Sequence, residues 1–453
     1  MTHVPEQRHL SLVMAAAVLA AVAGVAPAAV AAPNPGTIPS ARSVLASLDA
    51  QERQALHRMA TLDMGGLHVT DKAALKSADP VDVIVQLRTP PARTARLLAA
   101  AQGRSLSETD ARAAVAEAQG AFRDVLKDMF PEKQAAAGKS GRKTEVPRLH
   151  RSYTHSFDGV SLSLPGDRVA ELLDHAEVAS VWPDSTVKAL SDPQATGSGG
   201  PQTEGADDGV ARLHAEGITG KGVKVGIIDT GIDYRHPDLE NVYEGGYDFV
   251  DDDTDPMETT YEDWKESGQA ETSQGSKYYT EHGTHVAGII AGQGAESKAR
   301  AAHGVAPGAS VHAYRVLGPY GSGRTSDIIA AMDQAADDGM DVVNMSLGAA
   351  VNDPLSPQAI AADHLVLAGI TTVIAAGNRE ARARRPRVGL MPTCWTRPPK
   401  PSPSPCPTHD TEARGRGLLR HREVVHLDQC PEPIDAGAGE ARGPASGRTS
   451  ARP

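Results

Sequence analysis

The chain has 453 residues, enough for two or three domains at roughly 150 residues each. Its 45 basic and 57 acidic side chains leave a net charge of −12. That balance argues against a general nucleic-acid binder, because a phosphate backbone needs a basic footprint. A hydrophobic content of 40% permits a sizeable core, whereas three cysteines are too few for a disulfide framework.

Residues 1–32 read as an export signal. Arg8 and His9 precede an apolar run from Leu12 to Ala26, followed by Ala29-Val30-Ala31 as an A-x-A cleavage site. The run is shorter than the roughly 20 residues of a spanning helix, so secretion with no membrane attachment after cleavage is expected. Residues 33–79 hold short helical stretches, for example Ala41 to Met59, with no recognisable chemistry.

Between 80 and 190 the pattern changes. Val81, Val83, Val85 and Leu87 alternate with Asp82, Ile84 and Gln86, which predicts a strand. Leu106 to Met129 is Ala-rich with an apolar helical stripe. Arg148–Tyr153 and Gly159–Leu164 predict two strands, Pro165-Gly166-Asp167 opens a helix through Leu173, and Val178–Trp182 is a last strand. This β-α-β-β-α-β order fits a ferredoxin-like α+β domain; another small α/β module would share it. The Gly/Ser/Pro-rich segment 191–209 predicts a linker.

From 210 to 378, strands alternate with helices. Val223–Ile228 is a buried-type strand ending at Asp229-Thr230-Gly231, and Val311–Leu317 is the next. A helix follows from about Ser326 to Asp338, then a strand Asp341–Met345 ending at Ser346-Leu347-Gly348. A helix near Pro357–Ala368 leads to Thr371–Ala376, ending at Gly377-Asn378. The alternation predicts a doubly wound parallel sheet, with its working residues beyond the carboxyl ends of the strands. Asp229, Ser346 and Asn378 all fall there.

An Asp at such a strand end can orient an imidazole and stabilise its protonated form. The matching half is His282-Gly283-Thr284-His285-Val286-Ala287-Gly288, where small residues let a helix pack closely and hold His282 at its start. Either motif alone is weak. Together with Asn344-Met345-Ser346-Leu347-Gly348 and Ala375-Ala376-Gly377-Asn378, in that order, they are specific.

With these motifs the chain resembles the subtilisin-like serine proteases (peptidase S8) from Gly222 to Asn378, including Val305-Ala306-Pro307. The strings around Gly245–Val250, Asp255–Tyr261 and Tyr314–Gly321 resemble the large secreted bacterial branch. The resemblance implies Asp229 and His282 as triad members, the Asn378 amide as oxyanion donor, and Ser346, Leu347 and Gly348 as the substrate-binding segment. It also implies that residues 80–190 are an inhibitor I9-type propeptide, with protein or peptide substrates and the chain's own propeptide as partners. No cofactor is required.

The family's nucleophile lies in Gly-Thr-Ser-Met-Ala-x-Pro, a string this sequence lacks. Ser450 sits in the nearest string, but the three residues after it cannot form the helix that would aim its hydroxyl at His282. Residues 379–453 carry fourteen basic and eight acidic residues, all three cysteines and twelve prolines, without apolar periodicity. A truncated or frame-shifted domain after Asn378, with a tail lacking a core, is the expected reading; a genuine disordered basic extension is the other. The chain is therefore expected to be an inactive endopeptidase precursor, or alternatively a non-catalytic, protease-binding propeptide-like protein.

His282 and His285 are three apart without the adjacent Glu of a zinc helix, so no metal is assigned and His285 is expected to pack. Asp248, Asp251, Asp252, Asp253, Asp255 and Glu258 have oxygens enough for calcium but lack the glycine of a calcium loop, so a solvated turn is expected. Cys394, Cys406 and Cys430 lack paired C-x-x-C spacing.

Overall fold

A computed structural model of the chain describes residues 45–61, 65–131, 147–189, 207–295, 303–348 and 353–375. The segment read as an export signal, most of the expected linker, Asn378 and the whole tail with Ser450 and the cysteines lie outside the described residues.

The N-terminal part begins with helix α1 (Ala50–Thr61) and a two-residue strand β1 (Gly66–Leu67). Strand β2 (Pro80–Leu87), helices α2 (Ala92–Ala101) and α3 (Glu108–Met129), and strands β3 (Arg148–Tyr153) and β4 (Gly159–Pro165) follow. Gly166–Asp174 is a 3-10 helix rather than an α-helix, and strand β5 (Val178–Pro183) completes the unit. The sheet order β1-β5-β2-β4-β3 contains the ferredoxin-like core, with β1 added in parallel at the edge. Along β2, Val83, Val85 and Leu87 enter one core with Phe122, Val125 and Leu126 of α3. Ile84 points the other way, into a second core. Both faces of β2 are thus buried, the consequence of period-2 alternation on a sheet covered on two sides.

Strand β6 (Thr186–Ala189) leads out of this unit. Helix α4 (Asp207–Ala215) and strand β7 (Lys224–Asp229) begin the second one, followed by β8 (Tyr243–Asp248) and helix α5 (Tyr261–Ser267). A short hairpin, β9 (Thr272–Ser273) and β10 (Ser276–Lys277), precedes helix α6 (His282–Ala291). Then come β11 (Ser310–Arg315), β12 (Leu317–Gly318), β13 (Ser322–Arg324) and helix α7 (Thr325–Asp337). Strands β14 (Val342–Met345) and β15 (Leu347–Gly348), helix α8 (Pro357–Leu367) and strand β16 (Thr371–Ile374) close the described chain.

Five of these strands form an all-parallel sheet in the order β16-β14-β7-β11-β8. Val225 and Ile227 pack with Ala287 and Ala291 of α6 on one face. Ile228, Tyr314, Val343 and Met345 pack with α7 and α8 on the other. The fold is α/β and the sheet is covered by helices on both faces. β8 is a strand that the sequence pattern did not predict; its glycines carry no apolar signal. They serve close approach: a Cβ at Gly246, φ +150°, would lie 1.8 Å from the Ala313 carbonyl oxygen of the neighbouring strand.

Candidate active site

The sheet reverses its winding direction at β7: the chain builds β8 and β11 on one side, then β14 and β16 on the other. A crevice forms beyond the carboxyl end of the strand at such a switch point. Asp229 ends β7 there, 1% exposed, and His282 opens α6 opposite it. Nδ1 of His282 and Oδ1 of Asp229 are 2.7 Å apart. The same carboxylate oxygen accepts the Thr230 N–H at 2.7 Å. The imidazole is one-fifth exposed, so one edge is fixed by the carboxylate while the ring still reaches solvent.

Side chains on neighbouring loops anchor the first turn of α6, whose backbone N–H groups have no partner within the helix. The Gly283 N–H donates to Thr230 Oγ1 at 2.8 Å. The Thr284 N–H and hydroxyl donate to Glu258 Oε1 at 2.9 and 3.0 Å, and Thr284 Oγ1 accepts the Asp233 N–H at 2.8 Å. Glu258 is 6% exposed, and burial pushes its carboxyl above the ordinary range against the lowering effect of these hydrogen bonds. A buried acceptor with negative character at a helix N-terminus also suits the helix dipole.

The expectation of a solvated acidic turn holds for Asp251, Asp252, Asp253 and Asp255, which are exposed, and is corrected at Glu258, which is buried. Asp248 is also buried, 1% exposed, and takes the Arg315 guanidinium. Arg315 reaches Asp251 Oδ2 at 2.6 Å and Thr259 Oγ1 at 2.8 Å as well, tying the end of β11 to the loop that carries Glu258. Asp252 pairs with Arg151 at 2.6 Å, and Asp255 accepts the Tyr234 hydroxyl at 2.7 Å. These carboxylates are engaged by protein donors, which is why the loop is not merely hydrated. His285 is a second correction: it is exposed, because Gly283, Ala287 and Ala291 form the face of α6 turned to the sheet. Among the described residues no cluster of three or more His, Cys, Asp or Glu side chains could hold a metal ion.

Ser346 lies between β14 and β15, and the Asn344 amide donates to its Oγ at 3.2 Å. Leu347 and Gly348 pair antiparallel with Ala189 and Lys188 of β6. The other edge of β6 pairs with β13, in the register Lys188 with Ser322, Val187 with Gly323 and Thr186 with Arg324. A four-residue segment that follows the N-terminal unit therefore occupies the centre of a small sheet, satisfied on both edges. This strand addition draws on main-chain hydrogen bonds, which tolerate varied side chains. On the far side of β13, Gly323 permits the close approach of β12, since a Cβ there would lie 1.9 Å from the Val316 carbonyl oxygen. The structure thus brings Asp229 and His282 together and pairs Leu347 and Gly348 with an extended segment.

Comparison with known proteins identifies two family domains in the chain. Residues 220–402 match the subtilase family (peptidase S8), and residues 84–190 match the peptidase inhibitor I9 family. The subtilase match continues past Asn378 into the segment where composition changes. The minor extracellular protease Vpr of Bacillus subtilis (strain 168) is 39% identical over 252 residues, 54% of this chain and 29% of Vpr. Subtilisin E of the same organism is 41% identical over 177 residues, 39% of this chain and 40% of that protein. The chain thus spans well under half the length of these curated relatives. The crystal structure of fervidolysin from Fervidobacterium pennivorans, a keratinolytic enzyme related to subtilisin, aligns at 17% identity and a TM-score of 0.42, over 71% of this chain and 43% of that one. The chain accordingly carries a subtilase-family domain preceded by a peptidase inhibitor I9 domain, and belongs among the relatives of the subtilisins.

Proposed function

We propose that the chain is the precursor form of a secreted subtilisin-like serine endopeptidase. In this reading Asp229 and His282 supply two members of the triad, and Asn378 donates its amide to the oxyanion. Ser346, Leu347 and Gly348 receive the substrate backbone. The observation that carries the proposal is the 2.7 Å Asp229–His282 contact at the switch point of the sheet. With Nδ1–H held by Asp229, the other ring nitrogen carries no proton in this tautomer, the form that takes a proton from a serine hydroxyl and returns it to the leaving amine. Residues 80–190 act as inhibitor and β6 as a substrate-like strand, with a maturation cut between about Pro183 and Gly209.

The 453 residues contain no Gly-Thr-Ser-Met-Ala-x-Pro string, and we propose that this polypeptide does not itself turn over peptides. Without a nucleophile the covalent route is lost altogether. The expected result with purified chain is no peptide hydrolysis and no labelling by a serine-directed phosphonate. Turnover that the phosphonate abolishes overturns the proposed inactivity. The propeptide role is tested by adding residues 80–190 to an intact subtilisin-like enzyme; no inhibition at micromolar peptide refutes it. A second reading, a non-catalytic protein that binds other proteases, is favoured by the same missing string and shares the inhibition outcome. Reading the coding sequence past codon 378 in all frames separates the two, because the precursor reading requires the nucleophile motif in another frame.

A further inference from the structure

Helix α8 reads Pro357-Gln-Ala-Ile-Ala-Ala-Asp-His-Leu-Val-Leu367, and all eleven of its residues are buried. A helix with no exposed face must be covered all round. α7 and β16 lie against it from within the subtilase domain. Among the described residues, most of the remaining cover is α1, with a smaller contribution from α2. α1 lies upstream of residues 84–190, outside both family matches.

The contact is built, not incidental. Leu48, Ala55 and Leu56 form one apolar cluster with Leu97 of α2 and with Val366 and Leu367 of α8, each at most 5% exposed. Around it stand three polar contacts to the last turns of α8, one from α1 and two from α2. Arg58 holds the Asp363 carboxylate with Nε at 2.9 Å and with a second, shorter bond from Nη2. Thr94 Oγ1 and His364 Nδ1 are 2.8 Å apart. Arg93 donates to the Leu367 carbonyl, one of the groups that a helix C-terminus leaves without an internal partner. Two guanidinium groups at that end also suit the helix dipole. α1 specifies its own start by a reciprocal cap: the Asp49 N–H donates to Glu52 and the Glu52 N–H to Asp49, both at 2.8 Å.

We infer that residues 45–61 are a second docking element of the pro-region, separate from the inhibitor domain, whose partner is helix α8 of this chain's own subtilase domain. The inference rests on the pro-region reading above. It gives the pro-region two attachments: the ferredoxin-like sheet with β6, and α1 as a clamp on α8. Once the linker is cut, the clamp prolongs attachment by making rebinding intramolecular whenever only one contact has opened. α8 then loses its cover only when both have released.

The test is amide hydrogen exchange on the full chain, comparing wild type, Arg58→Asp, Leu56→Ala and the swap Arg58→Asp/Asp363→Arg. Each single variant is expected to speed exchange in 50–61 and 357–367, with β2 and β4 unchanged. For Arg58→Asp the increase should be about 10- to 100-fold, the equilibrium cost of losing hydrogen bonds to a charged group. The swap should restore the protection that Arg58→Asp loses. Unchanged protection of 357–367 in both single variants overturns the inference. Uniform loss across the chain does so too, because a separate element must be able to release alone. The assay needs neither catalysis nor inhibition, so peptide turnover or a failure to inhibit can refute the proposed function while leaving this result intact.

Discussion

Gly283, the residue after His282, lies so close to Gly231 that a Cβ at 283 would stand 2.0 Å from the Gly231 carbonyl oxygen. Gly231 cannot yield: its φ is +108°, and a Cβ on it would meet the Met257 carbonyl oxygen at 2.7 Å. Two glycines therefore set how near helix α6 can approach the strand end that carries Asp229. Gly283→Ala is expected to push the helix start outward at about 1–3 kcal/mol. Chemical denaturation measures that loss. The low-field Nδ1–H proton resonance of His282 should vanish with it, and its persistence at the wild-type position would show that the glycine contact does not position the ring.

Glu258 fixes the same turn from the other side. Glu258→Gln keeps an acceptor but removes the charge at the helix N-terminus, a loss of about 0.3–1 kcal/mol. Glu258→Ala leaves the Thr284 N–H without its buried acceptor and is expected to cost about 1–3 kcal/mol. Urea midpoints should fall in the order wild type, Gln, Ala. Equal midpoints for the two variants would show that the acceptor is irrelevant there, and a Gln midpoint equal to wild type that the charge is.

Asp158 gives a pH dependence of definite sign. Burial raises its carboxyl from the ordinary 3.8 to about 7, opposed by the Gln119 amide and reinforced by Asp333. Between these values the folded chain binds more protons at this site than the unfolded chain does. Its contribution to stability is therefore largest below pH 4 and is lost as pH rises toward 7. Asp158→Asn should flatten the stability–pH curve across that window, by a few kcal/mol at most on the scale of about 1.4 kcal/mol per pKa unit. Identical slopes in the two proteins would remove Asp158 from the account.

Val187 is 1% exposed and lies in β6 opposite Gly323 of β13, while the next two residues of the strand pair with β15. Proline there removes a ladder donor in a central strand, where it is not tolerated. Val187→Pro should free residues 184–189 for cleavage by an added protease while leaving β2 and β4 protected, and the cut is read by mass spectrometry. No gain in cleavage would mean that backbone pairing does not hold the segment.

Much of this protein is legible in one dimension. The Asp229 and His282 motifs are local, because a strand ending in Asp-Thr-Gly and a helix opening in His-Gly-Thr-His need those residues wherever they are packed. The strands β2, β4, β7 and β14 follow from apolar runs and alternation, and α3 from its stripe. α2 was missed although Pro90-Pro91 followed by an Ala- and Leu-rich run gives it both a start and a propensity signal. β8 was missed for a different reason: its glycines encode a distance to β11, and no window of sequence reports a distance.

The roles of Glu258, Arg58 and the segment 186–189 belong to the tertiary structure alone. In sequence Glu258 is one acid in an acidic run, and only packing against Thr284 distinguishes it from the exposed Asp252. Arg58 and Asp363 are 305 positions apart, and each by itself is an ordinary charged residue on a helix. Strand β6 is only four residues long, too short to give a periodic signal, and becomes a strand because two edges receive it. Sequence determines what a segment can form by itself, since that depends on neighbours a few residues away. Which groups meet, and hence which carboxylate loses its water, is decided only when distant elements close on one another.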